Sequence, residues 1–256
     1  EIFQRGNFVA FLGADERSVE AAAAAAVAHA KWANAPDIEP GQQGAAWLRG
    51  QPSDDRQYGA EVNPDAPGEV VEARFSRPYI AHASLAPSCA LAQFSGEHLT
   101  IWSHGQGMHP LRRNIAEVLE LPIEAITAKH LNGPGCYGHN GADDVALDVA
   151  IIAMHKPGSC IRLQWRREEE FGFEPFGPAM LVDLRVRLDE EGRPADWTAE
   201  VWSPTHVQRP GTGSGFLLAA AALPNPPAAP APGTSATLTP RSRSMTSANR
   251  PRFSSS

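Results

Sequence analysis

Gly-Pro-Gly-Cys-Tyr-Gly-His-Asn-Gly-Ala-Asp-Asp, residues 133–144, follows a short apolar run at 126–131 and precedes a longer one at 142–155. The first run predicts a strand and the second a helix, so the glycines fall in a strand-to-helix loop. Glycine at 133, 135, 138 and 141 lets the backbone take positive φ and approach another group with no side chain between. The start of a helix presents unpaired N–H groups and a positive dipole end, which suit phosphate. The segment therefore reads as a seat for a phosphate-bearing cofactor.

Outward from this loop, strands are expected at 70–76, 89–94, 99–103 and 160–166, and a helix at 110–119 with Pro110 in its first turn. Residues 178–188 and 197–203 read as two arms of a hairpin. Toward the N-terminus, 7–12 reads as a strand, Asp15 as the cap of an alanine-rich helix through residue 30, and 31–35 as a return toward a strand. Residues 36–69 are rich in Pro, Gly, Gln and Asp and read as a linker. Residues 219–256 are dominated by Ala, Pro, Ser, Thr and Arg. Residues 234–256, with almost no apolar residue, hold too little apolar surface to offset the entropy of ordering. The stretch 226–256 is expected to be a disordered tail or an out-of-frame segment.

The chain has 256 residues, 42% of them hydrophobic, and a formal charge of −7. That acidity excludes non-specific nucleic-acid binding. Three cysteines supply neither a disulfide framework nor a Cys-x-x-Cys clip. No run of about 18 apolar residues marks a membrane span. The first residue is Glu1, and the sequence reads as an internal piece of a longer chain.

Gly133, Gly135 and Gly138 match the dinucleotide pattern G-x-G-x-x-G in a strand–loop–helix–strand setting. The acidic partner of that pattern belongs about 20 residues onward. The first acid beyond the next strand is Glu168, which is too distant. A tight turn that serves packing alone is the other reading. Cys136 and His139 form a lone Cys-x-x-His, and His104, His109 and His130 add no recognisable ligand spacing, so no side-chain metal site is expected. Asp144 and Asp148, at i and i+4, read as a solvated helix face. Arg166 to Glu170 reads as a solvated strand end. No G-x-S-x-G elbow is present.

Four strings together resemble the molybdenum-cofactor-binding large subunit of the xanthine dehydrogenase and aldehyde oxidase family, in the branch of isoquinoline 1-oxidoreductase and nicotinate dehydrogenase. They are Arg77-Pro-Tyr-Ile-Ala-His-Ala-Ser-Leu-Ala-Pro87, Ile101-Trp-Ser-His-Gly-Gln-Gly-Met-His-Pro-Leu-Arg112, residues 133–144, and Ile161-Arg-Leu-Gln-Trp-Arg-Arg-Glu-Glu-Glu170. The resemblance covers residues 70–218. It implies an α+β chain in which 1–35 end a hammerhead-type domain, 36–69 link, and 70–225 begin a molybdopterin-binding domain.

The resemblance also implies chemistry. The family hydroxylates an aldehyde or a carbon next to nitrogen, with oxygen from water. A molybdenum–molybdopterin cofactor takes the hydride, and iron–sulfur clusters on a partner subunit take the electrons. Gln106 falls where the family places a glutamine on the molybdenum oxo group. Tyr137-Gly138 stands for the family's Phe-Gly, and Gly135, Cys136 and His139 complete the loop. The family's water-activating glutamate has no matching motif here, so the catalytic residue is unassigned and the chain alone is expected to be inactive. Apolar faces at 181–186 and 216–218 are expected to stand uncovered. A nicotinamide-binding oxidoreductase and a non-catalytic structural remnant are the competing readings.

Overall fold

The computed structural model describes residues 1–31, 45–59, 62–138, 141–204, 217–225 and 239–243. It is α+β, as expected. In chain order it begins with β1 (Ile2–Arg5), β2 (Phe8–Phe11), α1 (Glu16–His29), α2 (Ala45–Gly50), β3 (Ser53–Gln57) and β4 (Glu69–Arg77). There follow β5 (Cys89–Phe94), β6 (Leu99–Ser103), α3 (Met108–Leu119), β7 (Ile126–His130), α4 (Ala142–His155) and β8 (Cys160–Gln164). The last are α5 (Arg167–Phe173), β9 (Met180–Leu188), β10 (Pro194–Trp202), α6 (Leu218–Ala222) and β11 (Thr239–Arg243). The chain divides into two compact units.

The first unit comprises residues 1–37, 81–176 and 207–230. Its main sheet has the order β7-β6-β5-β8, with β6 and β7 parallel and the other pairs antiparallel. Ala90 and Ala92 of β5 are fully buried. Their small side chains let α4 lie close against β5, β6 and β8. Helix α4 is apolar from Val145 to Ala153 apart from Asp148, and the apolar residues there are buried, which marks a core helix rather than a surface one. Helix α3 instead buries one stripe, Leu111, Ile115, Val118 and Leu119, at i, i+4, i+7 and i+8. Burying each such side chain contributes about 1.5–3 kcal/mol. Asp15 caps α1 as expected, accepting from Ser18 N–H at 2.9 Å. Residues 1–31 add the β1–β2 hairpin, of which only the second strand was expected, and Asn7 N–H donates to Ala222 O at 2.7 Å.

The second unit comprises residues 38–80, 177–206 and 231–256, and its sheet has the order β3-β11-β10-β9-β4. The expected hairpin is β9–β10. The region read as a linker carries α2 and β3. Leu48 of α2 is buried with Ala179, Leu181 and Trp202, an apolar anchor too short to show as periodicity. Of the tail expected to be disordered, the described stretch is β11, which pairs with β10 and β3 through backbone bonds. The remaining residues of 226–256 lie outside the described residues. The apolar faces expected to be uncovered are partly closed. Leu181 and Leu217 are each 2% exposed, Leu218 is 42% exposed, and Phe216 lies outside the described residues.

Candidate functional site

Strands β6 and β7 run parallel in register, with Ser103 opposite His130. Their C-terminal ends therefore open side by side, the usual place for a site in such sheets. The loop after β6 carries Gln106, and the loop after β7 is the glycine segment. Leu131 N–H donates to Ser103 O at 2.9 Å, and His130 Nδ1 lies 3.2 Å from Gly105 O. Gln106 Nε2 donates to Cys136 O at 3.4 Å. A third segment joins them, since Leu85 N–H donates to Pro134 O at 3.2 Å. Parts of three of the four strings that carry the family resemblance thus converge within the first unit.

Gly135 and Gly138 have φ of 94° and 137°, so the glycine requirement there is real. Rings of the protein itself fill the space beside the loop glycines. A Cβ on Gly138 would stand 2.2 Å from the His82 ring, and one on Gly141 2.3 Å from the Trp165 ring. The Cys136 thiol bonds to Gly138 O and closes the turn. Tyr137 is 60% exposed, and its ring lies back against the loop, where a Cβ on Gly135 would stand 2.8 Å from it. His139 lies outside the described residues.

The start of α4 differs from the expected phosphate seat. Gly141 N–H donates to Glu170 Oε1 at 3.2 Å, so a carboxylate of the chain itself occupies the positive end of this helix. Glu170 is fully buried and also accepts from Ser88 N–H at 2.8 Å and Ser88 Oγ at 3.1 Å. The charge run at 166–170 is therefore no solvated strand end. It opens α5, a helix whose capping box joins Arg166 and Glu169.

Asp144 and Asp148 do not form a solvated face either. Asp144 is fully buried and accepts from Leu218 N–H at 2.9 Å. Half-buried Asp148 accepts from the Trp165 indole at 3.0 Å. Burial pushes its carboxyl up to about 7, against that hydrogen bond, and the charges of Asp144 and Glu169 add to the rise. One signal was available: acids spaced along an otherwise apolar helix have little solvent face to occupy.

Among the histidines, buried His104 accepts from Cys89 N–H at 3.3 Å through Nε2, and burial holds its pKa down. Among the described residues no three His, Cys, Asp or Glu side chains gather as a metal site. A cleft of about 250 Å³ lies beside the loop, bordered by Cys89, Trp102, His104, Gly133 and Pro134. A larger depression of about 730 Å³ in the second unit is lined by Arg74, Asp183 and Arg185 and touches none of these residues. The dinucleotide reading fails on topology. That fold places the strands flanking its first helix as parallel neighbours, whereas β7 and β8 stand at opposite edges of the sheet. Glu168 is exposed on α5.

The family model described as the molybdopterin cofactor-binding domain matches residues 60–212. The chain is 35% identical over 150 residues to a subunit of the nicotinate dehydrogenase of Pseudomonas putida, across 56% of this chain and 12% of that protein. It is 25% identical over 140 residues to the aldehyde oxidoreductase molybdenum-binding subunit PaoC of Escherichia coli K12, across 52% of this chain and 18% of that one. In fold it is similar to the aldehyde oxidoreductase of Desulfovibrio gigas, with a TM-score of 0.50 and 14% identity over 72% of this chain and 20% of that one. The matches thus span less than a quarter of the length of each of these relatives.

Proposed function

The chain belongs to the molybdopterin cofactor-binding domain family, and from that premise we propose that it forms one wall of the cofactor site in a molybdenum hydroxylase subunit. The observation that carries this reading is the placement of Gln106 against the glycine loop through its bond to Cys136 O. The Gln106 side chain is exposed, and its amide has a second N–H left for a ligand. The available donors are uncharged, a carboxamide and loop backbone N–H groups. Such donors suit oxo and phosphate oxygens, so the residues present fit a molybdenum–molybdopterin. That group would supply two-electron oxidation of a substrate carbon, with oxygen taken from water.

The work of this chain is placement. Gln106 orients the group by donating an N–H. Exposed Tyr137 offers it an aromatic face, and Gly135, Cys136 and Gly138 hold the turn between them. His139 completes the set by resemblance. The names of the two relatives, a nicotinate dehydrogenase and an aldehyde oxidoreductase, support an N-heterocycle or an aldehyde as substrate. An iron–sulfur subunit would be the partner that receives the electrons. No residue of this chain is assigned as the base.

Gln106→Ala, made in the intact complex, tests the reading. A hydrogen bond to a charged centre is worth about 1.5–3 kcal/mol, so kcat should fall roughly ten- to hundredfold. Molybdenum and pterin content should stay at the wild-type level. Undiminished turnover at full molybdenum content would remove Gln106 from the site.

A further inference from the structure

We infer that α5 is a positioning element, and that the buried carboxyl groups of Glu170 and Glu174 hold the glycine loop at Gly141 and, through His82, at Gly138. The arrangement of the loop itself stands on the contacts below. Its effect on a cofactor rests on the function proposed above.

Glu170 and Glu174 lie one helical turn apart and are 0% and 2% exposed. Glu170 takes the C-terminal end of the stretch directly, through Gly141 N–H, and ties it to Ser88. Glu174 takes the other end through an intermediary. Its Oε1 accepts from His82 N–H at 2.9 Å, and the His82 ring fills the place where Gly138 has no side chain. The next residue, Ala83, is held at φ 53°, a conformation an alanine seldom adopts unless its surroundings impose it. Helix α5 makes a third link through Arg167, whose guanidinium donates to Ser84 O at 2.7 Å and Leu85 O at 2.8 Å. Leu85 in turn donates to Pro134 O. Each half of the loop is therefore reached from one helix.

The chemistry of these residues favours placement over simple stability. Apolar side chains would fill the same space without the cost of burying two neighbouring acids. Among the described residues Glu174 Oε2 and His82 Nδ1 are both enclosed without a hydrogen-bond partner. The partnered oxygens, Glu174 Oε1 and both of Glu170, supply direction, because a carboxylate fixes the N–H groups that point at it.

Hydrogen–deuterium exchange on the full chain in its complex, combined with pterin and molybdenum content, tests the inference. Glu174→Ala should speed exchange in peptides covering 81–88 and 133–141 roughly tenfold or more, with β5 and β6 unchanged. Glu174→Gln keeps an acceptor for His82 N–H and should restore wild-type exchange. Pterin occupancy should fall in the first variant and return in the second. Wild-type exchange in both loops of Glu174→Ala would overturn the inference. So would uniform acceleration through β5 and β6 that Gln does not rescue, since that is the mark of a merely structural residue. Should Glu174→Ala not fold, Ser88→Ala removes one donor to Glu170. Faster exchange confined to the same loops supports the inference, and its absence overturns it. If the loops loosen as expected while the wild-type complex holds no pterin, the positioning role stands and the cofactor reading falls.

Discussion

The indole N–H of Trp165 donates to Asp148 at 3.0 Å, while the six-membered edge of the same ring fills the space a side chain on Gly141 would need. One tryptophan thus ties the middle of α4 to the residue just before its start, where the glycine loop ends. The carboxyl it holds is raised to about 7, chiefly by burial.

That rise has a direction in pH. The folded-state pKa of Asp148 lies above its unfolded value, near 3.9. Between about pH 4 and 7 the folded state binds more protons than the unfolded one. The contribution of this group is therefore fully present below pH 4 and is lost as pH rises to about 7. Asp148→Asn keeps an acceptor for the indole and removes the titration. Relative to wild type, the variant should gain up to about 4 kcal/mol between pH 4 and 7 and no more above that, in chemical denaturation. Parallel curves for the two proteins would contradict the assignment.

Gly138→Ala meets two costs. Positive φ costs an alanine about 1–2 kcal/mol, and crowding against the His82 ring adds roughly 1–3 kcal/mol. Gly158, at φ 84° with open space around it, is the control. Gly158→Ala should show the backbone cost alone. Adding His82→Ala to Gly138→Ala should recover the crowding part, a coupling that a double-mutant cycle reads directly. Strict additivity would mean that the ring and the loop do not bear on each other.

Asp144→Ala should cost about 1–3 kcal/mol, because Leu218 N–H loses its buried acceptor. Residues 217–225 should then become the first site of limited proteolysis. Asp144→Asn should keep most of the protection. Equal cleavage in all three proteins would show that α6 is held by its apolar contacts alone.

Local signals were enough for the sheet and helix that frame the site. Residues 89–94 and 99–103, and the apolar run at 142–155, carry their own period and length, and the structure has β5, β6 and α4 there. The glycine loop was legible because few other segments tolerate positive φ. Helix α5 was not, because Glu170 looks like any surface acid until Ser88 and Gly141 meet it from far along the chain. The same holds for His82, whose neighbour Gly138 is set by tertiary placement. The filling of the start of α4 by Glu170 was invisible for that reason too, so an expected phosphate seat proved to be an internal contact. Residues 45–57 were missed because α2 and β3 are short and depend on partners in distant segments.

The central claim is that Gln106 and residues 135–138 face the molybdenum cofactor. The most direct measurement is anomalous diffraction at the molybdenum edge from crystals of the complex that contains this chain. The account predicts a single molybdenum peak beside the loop, with the Gln106 amide within hydrogen-bonding reach of a ligand of the metal. A peak remote from residues 104–107 and 131–141, or a Gln106 side chain turned away from it, would contradict the account.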